Sequence, residues 1–287
     1  MVASLGAPPS VRRTNYGARM SEEPRSIFLP DTMAGQVAFI TGGATGIGKE
    51  IARVFGRHGA QVAIASRKRD NLDAAQQELE AEGIECHVDT FDVRDAEAAR
   101  RVVAGIVERY GRLDVLVNNA AGNFPAPMTK ISPNGFKSVV DIDLLGTYNV
   151  SKAAFDAWLG EHGGNIVNIS APFEGKGAAM QAHVAAAKAG VDSLTRTCAV
   201  EWGPYGVRVN AVAPGSTGNT EGMARFSSVV RGGDSTPTNP LAMMGHGQDI
   251  ANLVLFLCSA SARFVSGQVI AVDGAGSVDQ LKLGHRA

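Results

Sequence analysis

Charge imbalance, cysteine pairs, aromatic residues and long apolar runs are all scarce in this sequence of 287 residues, and each scarcity removes a class of protein. Lysine and arginine number 27 against 28 aspartates and glutamates, a formal net charge of −1, so nothing points to nucleic acid or an anionic membrane surface. Three cysteines, Cys86, Cys198 and Cys258, are odd in number and far apart; they suit neither a disulfide framework nor a metal site, and fit a reducing compartment. No apolar run is long enough to span a bilayer, and there is no secretory apolar segment. Aromatics make up 6% of the chain, whereas glycine is over-used at 34 residues, a combination that favours close approach of backbone to a ligand. With 45% hydrophobic residues the chain can bury one large core.

The opening stretch MVASLGAPPSVRRTNYGAR is basic and contains no acid. It reads as part of a disordered extension over residues 1–29, either a transit peptide or residues upstream of a start at Met20, ahead of one domain over 30–287. The final GHRA is not a Ser-Lys-Leu-type address, so the expected compartment is the cytoplasm.

From residue 36 short β-branched runs alternate with helical patterns. QVAFIT (36–41), QVAIAS (61–66), ECHVDT (85–90), LDVLVN (113–118), NIVNIS (165–170), VRVNAV (207–212) and QVIAVD (268–273) read as strands buried on both faces. Between them GKEIARVFGRHG, NLDAAQQELEAEG and AEAARRVVAGIVERYG carry apolar residues at i, i+3, i+4 and glycine near their ends. This rhythm predicts an α/β fold: one doubly wound Rossmann-type domain, a seven-stranded parallel sheet flanked by helices. Residues 214–245, rich in Gly, Ser, Thr, Asn and Pro, break it and read as a substrate loop.

TGGATGIGKE follows the first strand, and Thr41, Gly42, Gly46, Ile47 and Gly48 form a turn that would admit a pyrophosphate to the start of a helix. The spacing departs by one residue from G-x-G-x-x-G, and a purely structural turn is the alternative. After the second strand stands ASRKR, where an acid would meet a bare ribose hydroxyl. Ser66 and the fork of Arg67 suit a 2′-phosphate instead, which favours NADPH; Lys68 and Arg69 read as a solvated basic helix start. Asp92, with Val93 behind it, is placed for the adenine amino group or for capping the turn.

At NNAAGN (118–123) the chain resembles the short-chain dehydrogenase/reductase family, in company with the glycine turn, VNAVAPG (209–215) and VSGQVIAVDG near the end. The resemblance implies that Asn119, Ala120, Gly122, Pro214, Gly215, Thr217 and Thr220 border the cofactor and that Lys188 holds its ribose. It also implies a homotetramer. Alcohol- and ketone-active members pair that lysine with a tyrosine, a serine and an asparagine; here those positions hold Val184, Ala171 and Asp143. AAGNF (120–124), QAHVAAAKAGVDSLTR (181–196) and APGSTGNTEGM (213–223) are similar to one tyrosine-free branch, the peroxisomal-type 2,4-dienoyl-CoA reductases.

The missing phenol suits that chemistry. Ketone reduction leaves an alkoxide that needs a nearby acid, worth on the order of 10²–10⁴ in rate. Hydride addition to a conjugated thioester leaves a delocalised dienolate, which needs hydrogen bonds at oxygen and a later proton at carbon. Lys188 and Asp143 are thus the expected catalytic pair, with Asp143 an acid, a water activator or a structural ion partner of Lys188. Asp141, two residues away, points elsewhere on its helix. For an acyl-CoA substrate the candidates are Phe124 as a channel wall, Ser132 and Asn134 as polar contacts, and Arg94 and Arg225 for CoA phosphates. Core packing, helix capping and plain surface arginine are the respective alternatives. His183 reads as structural. Two rival functions stay open: a 3-oxoacyl thioester reductase and a catalytically silent NADPH-binding protein.

Overall fold

A computed structural model describes residues 26–173, 177–218, 220, 224, 228–229, 232, 237 and 239–279. The seven apolar runs become strands: β1 Val37–Thr41, β2 Gln61–Ser66, β3 Cys86–Thr90, β4 Val115–Asn118, β5 Gly164–Ile169, β6 Val207–Pro214 and β7 Val269–Val272. They pair in the order β3-β2-β1-β4-β5-β6-β7, every neighbour parallel. β4 starts two residues later than the apolar pattern because Asp114 turns its carboxylate to the N–H of Val37, 2.8 Å away, and pairs with Arg112.

Side chains along β1 alternate between two cores. Ala38 and Ile40 face Ile51, Phe55, Leu72 and Leu255 on one side of the sheet. Val37 and Phe39 face Ile106, Leu116 and Leu159 on the other. The first layer is laid down by helices α1 (Gly46–Arg57), α2 (Arg69–Ala81) and, from the far end of the chain, α7 (Gly247–Cys258). The second uses α3 (Ala96–Tyr110), a long helical run from Pro133 to His162, and α6 (Ala182–Trp202). That long run is interrupted twice. Helices α4 (Pro133–Val140) and α5 (Gly146–Ala154) are joined by a π-helical turn, Asp141–Leu145, and a second such turn follows at Phe155–Leu159.

Strand order reverses between β1 and β4, so their carboxyl ends open a crevice where doubly wound folds take ligands. No described helix is long and apolar enough to cross a membrane.

Candidate active site

The crevice is shaped first by glycine. Gly42 adopts φ 64°, and a Cβ there would stand 2.9 Å from Asn119 Nδ2 and 3.0 Å from Ala120 Cα. A Cβ on Gly48 would stand 2.4 Å from the carbonyl oxygen of Gly42, closer than atoms can pack. Gly46, at φ 54°, opens α1, and the side chain of Thr220 lies 3.5 Å from where its Cβ would be. Thr45, the residue capping α1, makes no side-chain bond to it, and Ile47 is half-buried beside the turn. Uncapped amides at a glycine-lined helix start fit a dinucleotide pyrophosphate.

Thr41 Oγ1 accepts from the backbone N–H groups of Asn119 and Ala120, each at 3.1 Å. The Asn119 carboxamide donates to the carbonyls of Thr41 (3.1 Å) and Gly42 (3.0 Å). Through these bonds the Asn119 carboxamide staples β4 to the glycine turn.

At the end of β2, Ser66 is half-buried and its hydroxyl turns to the Lys68 carbonyl, 3.4 Å away. Arg69 pairs with Asp73 along α2 at 2.7 Å, whereas Arg67 is exposed and forms no ion pair among the described residues. Asp92 and Arg94, expected to serve separate ligands, hold each other: the guanidinium lies 2.6 Å from the carboxylate. Bonds from Arg94 keep the Asp92 carboxyl below the usual aspartate value despite partial burial. Val93 is buried under this pair, against Gly146, and its carbonyl accepts from Asn149 at 3.0 Å.

From the other side comes the arm that follows β6. Pro214 ends the strand, Gly215 bonds the Val272 carbonyl at 2.9 Å, and a Cβ on Gly215 would collide with Asp273. Thr217 is buried, pairs with Gly245 and bonds the Gly215 carbonyl, and Thr220 in turn bonds the Thr217 carbonyl at 3.1 Å. This arm brings Thr220 over the glycine turn. Much of the 214–245 stretch, Arg225 included, lies outside the described residues.

The other end of the crevice is assembled from side chains. Lys188, on α6, is 6% exposed; its ammonium donates to the Ile169 carbonyl at the end of β5 (2.8 Å) and lies 3.4 Å from Asp143 Oδ2. Asp143 is fully buried within the π-helical turn. Its Oδ1 accepts from the N–H of Gly122 at 2.7 Å, while Oδ2 has no hydrogen-bond partner among the described residues. Asp141 faces away and pairs with Lys137. Val184, one turn before Lys188, is buried and offers no polar atom.

His183 is fully buried: Nδ1 accepts from the Val184 N–H at 3.0 Å, which leaves Nε2 to donate to the Phe124 carbonyl at 3.0 Å. Its ring meets that of Phe124 edge-on at 4.4 Å, and Phe124 stays 40% exposed. Ser132 caps α4, accepting from the Gly135 N–H at 3.1 Å, and Asn134 is exposed on the first turn.

Several polar groups nearby went unread in the sequence. Asn118 donates to Ser151 and to Asn168, and Asn168 to Thr195, each at 2.8 Å, which ties β4, α5, β5 and α6 together. Ser170 donates to a second buried acid, Asp192. Asp192 stands four residues after Lys188, one turn along the same face, a spacing that could have exposed it.

A glycine-lined crevice at the strand-order switch, beside a buried lysine–aspartate pair, defines a dinucleotide-binding oxidoreductase. Residues 42–276 match the family model described as Enoyl-(Acyl carrier protein) reductase, and the chain belongs to this short-chain dehydrogenase/reductase family, whose cofactor is a nicotinamide dinucleotide. It is 45% identical to a protein of Danio rerio named peroxisomal 2,4-dienoyl-CoA reductase [(3E)-enoyl-CoA-producing], over 86% of this chain and 83% of that one. It is 39% identical to a probable 2,4-dienoyl-CoA reductase [(2E)-enoyl-CoA-producing] of Bacillus subtilis, over 84% and 96%. A crystal structure of an actinorhodin polyketide ketoreductase variant with NADPH superposes with a TM-score of 0.80 at 30% identity, covering 86% of this chain and 98% of that one.

Proposed function

We propose that the protein reduces 2,4-dienoyl-CoA thioesters to 3-enoyl-CoA with NADPH, as a step in the β-oxidation of unsaturated fatty acyl-CoAs. The observation that carries this reading is the buried Asp143–Lys188 pair with aliphatic Val184 beside it. Relatives named 2,4-dienoyl-CoA reductase support it. NADPH supplies the hydride, and addition at C5 of the dienoyl chain pushes charge onto the thioester oxygen. Lys188, fixed by the Ile169 carbonyl, holds the nicotinamide ribose and keeps positive charge near the hydride. Asp143 Oδ2, without a hydrogen-bond donor among the described residues, is the acceptor for a water that gives its other proton to carbon; the hydroxide left takes a proton from Lys188, whose Nζ lies 3.4 Å from Oδ2, and Lys188 recovers it from solvent. Delivery at C2 leaves the 3-enoyl product; delivery at C4 would leave the 2-enoyl isomer.

Arg67, exposed and without an ion pair among the described residues, is the candidate for the 2′-phosphate, with Ser66 next to it. For the acyl-CoA, Phe124 is the channel wall, Asn134 the polar contact left after Ser132 caps its helix, and Arg94 a phosphate ligand only if it leaves Asp92. Arg225 is kept from sequence alone. The proposed assembly is a homotetramer, and the proposed compartment the cytoplasm, where the three buried free cysteines stay reduced.

The test is NADPH oxidation with a 2,4-dienoyl-CoA, a 3-oxoacyl-CoA and no substrate, with the product analysed after reaction in deuterated water. Turnover of the dienoyl thioester with deuterium at C2 is expected. Turnover of the 3-oxoacyl thioester alone would establish a carbonyl reductase; no turnover of either would leave a silent NADPH-binding protein.

A further inference from the structure

Gln181 caps the start of α6, and it is only 3% exposed. A capping side chain normally accepts from an amide of the first turn, but this one makes no such bond, and neither Oε1 nor Nε2 has a hydrogen-bond partner among the described residues. Its backbone, by contrast, is firmly built. The Gln181 N–H donates to the Ala178 carbonyl at 3.2 Å, and its own carbonyl accepts from Ala185 at 2.8 Å. Met180, just before it, sits at φ 65°, a conformation costly for a side chain that large, and its carbonyl accepts from Ala126 at 3.0 Å. An enclosed carboxamide without a partner works against folding, so its retention calls for a partner that is not part of the protein.

Its place in the fold says which partner. Residues 181, 184 and 188 lie on one stripe of α6, the stripe that carries Lys188 to Asp143. Gln181 therefore stands one turn beyond Val184, at the opposite end of the row from Lys188. The segment bonded to Met180 is the one whose Gly122 holds Asp143 and whose Phe124 packs on His183. If C5 of the dienoyl chain reacts beside Val184, the thioester carbonyl falls about one helical turn along the chain, the distance that separates positions 184 and 181. The start of α6 adds the positive end of a 21-residue helix. Phe124, in the adjoining segment, is 40% exposed.

We infer that the Gln181 carboxamide Nε2 donates to the thioester carbonyl oxygen of the acyl-CoA, positioning the substrate and stabilising the charge that builds on that oxygen. The inference rests on the reading of the substrate as an acyl-CoA thioester. It is tested by measuring the affinity of the NADP-loaded protein for a saturated acyl-CoA and for its S-alkyl thioether analogue, which lacks the carbonyl. Wild type should prefer the thioester by roughly tenfold, and Gln181→Leu, alike in size, should abolish the preference. The variant's kcat/KM with a dienoyl-CoA should fall roughly 10- to 100-fold with NADPH affinity unchanged.

A Gln181→Leu protein that keeps the thioester preference, or that loses affinity for both analogues equally, overturns the inference. If that variant does not fold, the carbonyl stretch of a ¹³C-labelled thioester bound to wild type and to Gln181→Asn decides. A downshift in wild type that shrinks in Gln181→Asn is expected, and identical frequencies overturn the assignment. A thioester preference abolished in Gln181→Leu, alongside no turnover of dienoyl-CoA by wild type, would refute the proposed reaction and leave this contact standing.

Discussion

The two sides of the crevice are made differently. On the nucleotide side, β1, β2 and the start of α1 offer backbone, cleared of side chains by Gly42, Gly46 and Gly48, and the charges lie outside in a surface lattice. There Arg53 reaches Glu50, Glu78 and Glu82, and Lys49 reaches Glu78. On the reaction side the charges and amides are inside: Asp143, Lys188, Asp192, Asn118, Asn168 and Gln181 are all buried. A backbone cradle accepts any ligand with the right phosphates. A buried set of side chains, all but Gln181 fixed by a partner distant in sequence, is where we propose that the chain commits to one reaction.

The sharpest way to break that division is at Asp143. Asp143→Ala should lower turnover by about 10²–10⁴ while NADPH affinity changes far less, as single-turnover kinetics and cofactor titration will show. Equal loss of both would make Asp143 a structural ion partner.

On the other side, Gly48→Ala drives a methyl group to within 2.4 Å of the Gly42 carbonyl, so cofactor binding should collapse and stability fall by about 1–3 kcal/mol, read by calorimetry with and without NADPH. A milder break is Arg67→Ala, which should weaken NADPH roughly 10- to 100-fold and leave NADH nearly unchanged. Equal loss of both cofactors would assign the 2′-phosphate elsewhere.

The smallest effect concerns the rim. Arg94 lowers the Asp92 pKa, so the pair stabilises the fold above the ordinary aspartate value and loses that contribution as pH falls through the depressed one. Both groups are partly exposed, so Arg94→Ala should cost no more than about 1 kcal/mol at neutral pH. The difference in melting temperature from wild type should shrink and vanish once the pH falls below the depressed Asp92 value.

How much of each side was legible in the sequence follows the same division. β2 runs over the residues its apolar pattern marks, and the glycine turn is a local signal read from ten consecutive residues. The substitutions at positions 143, 171 and 184 were legible only against a family pattern. What Asp143 does was not, because its partners come from Gly122, 21 residues away, and from α6. Asn118 and Asn168, 50 residues apart, look like ordinary strand ends until β4 and β5 are laid side by side. Asp92 and Arg94 show what a reading aimed at ligands passes over: two residues apart, they are also partners of each other.

The π-helical turn at Asp141–Leu145 has a consequence for how such a site can be gained or lost. A π turn uses one residue more than an α turn to make the same circuit, so it stores a one-residue insertion while α4 and α5 keep their own faces. Deleting one residue from the turn should restore a regular helix and leave both flanking helices packed, yet carry Asp143 off its contact with Gly122. The carboxylate proposed for this site is thus a single codon away from losing its place, with the flanking helices kept, an economical route by which one fold could exchange one reduction for another.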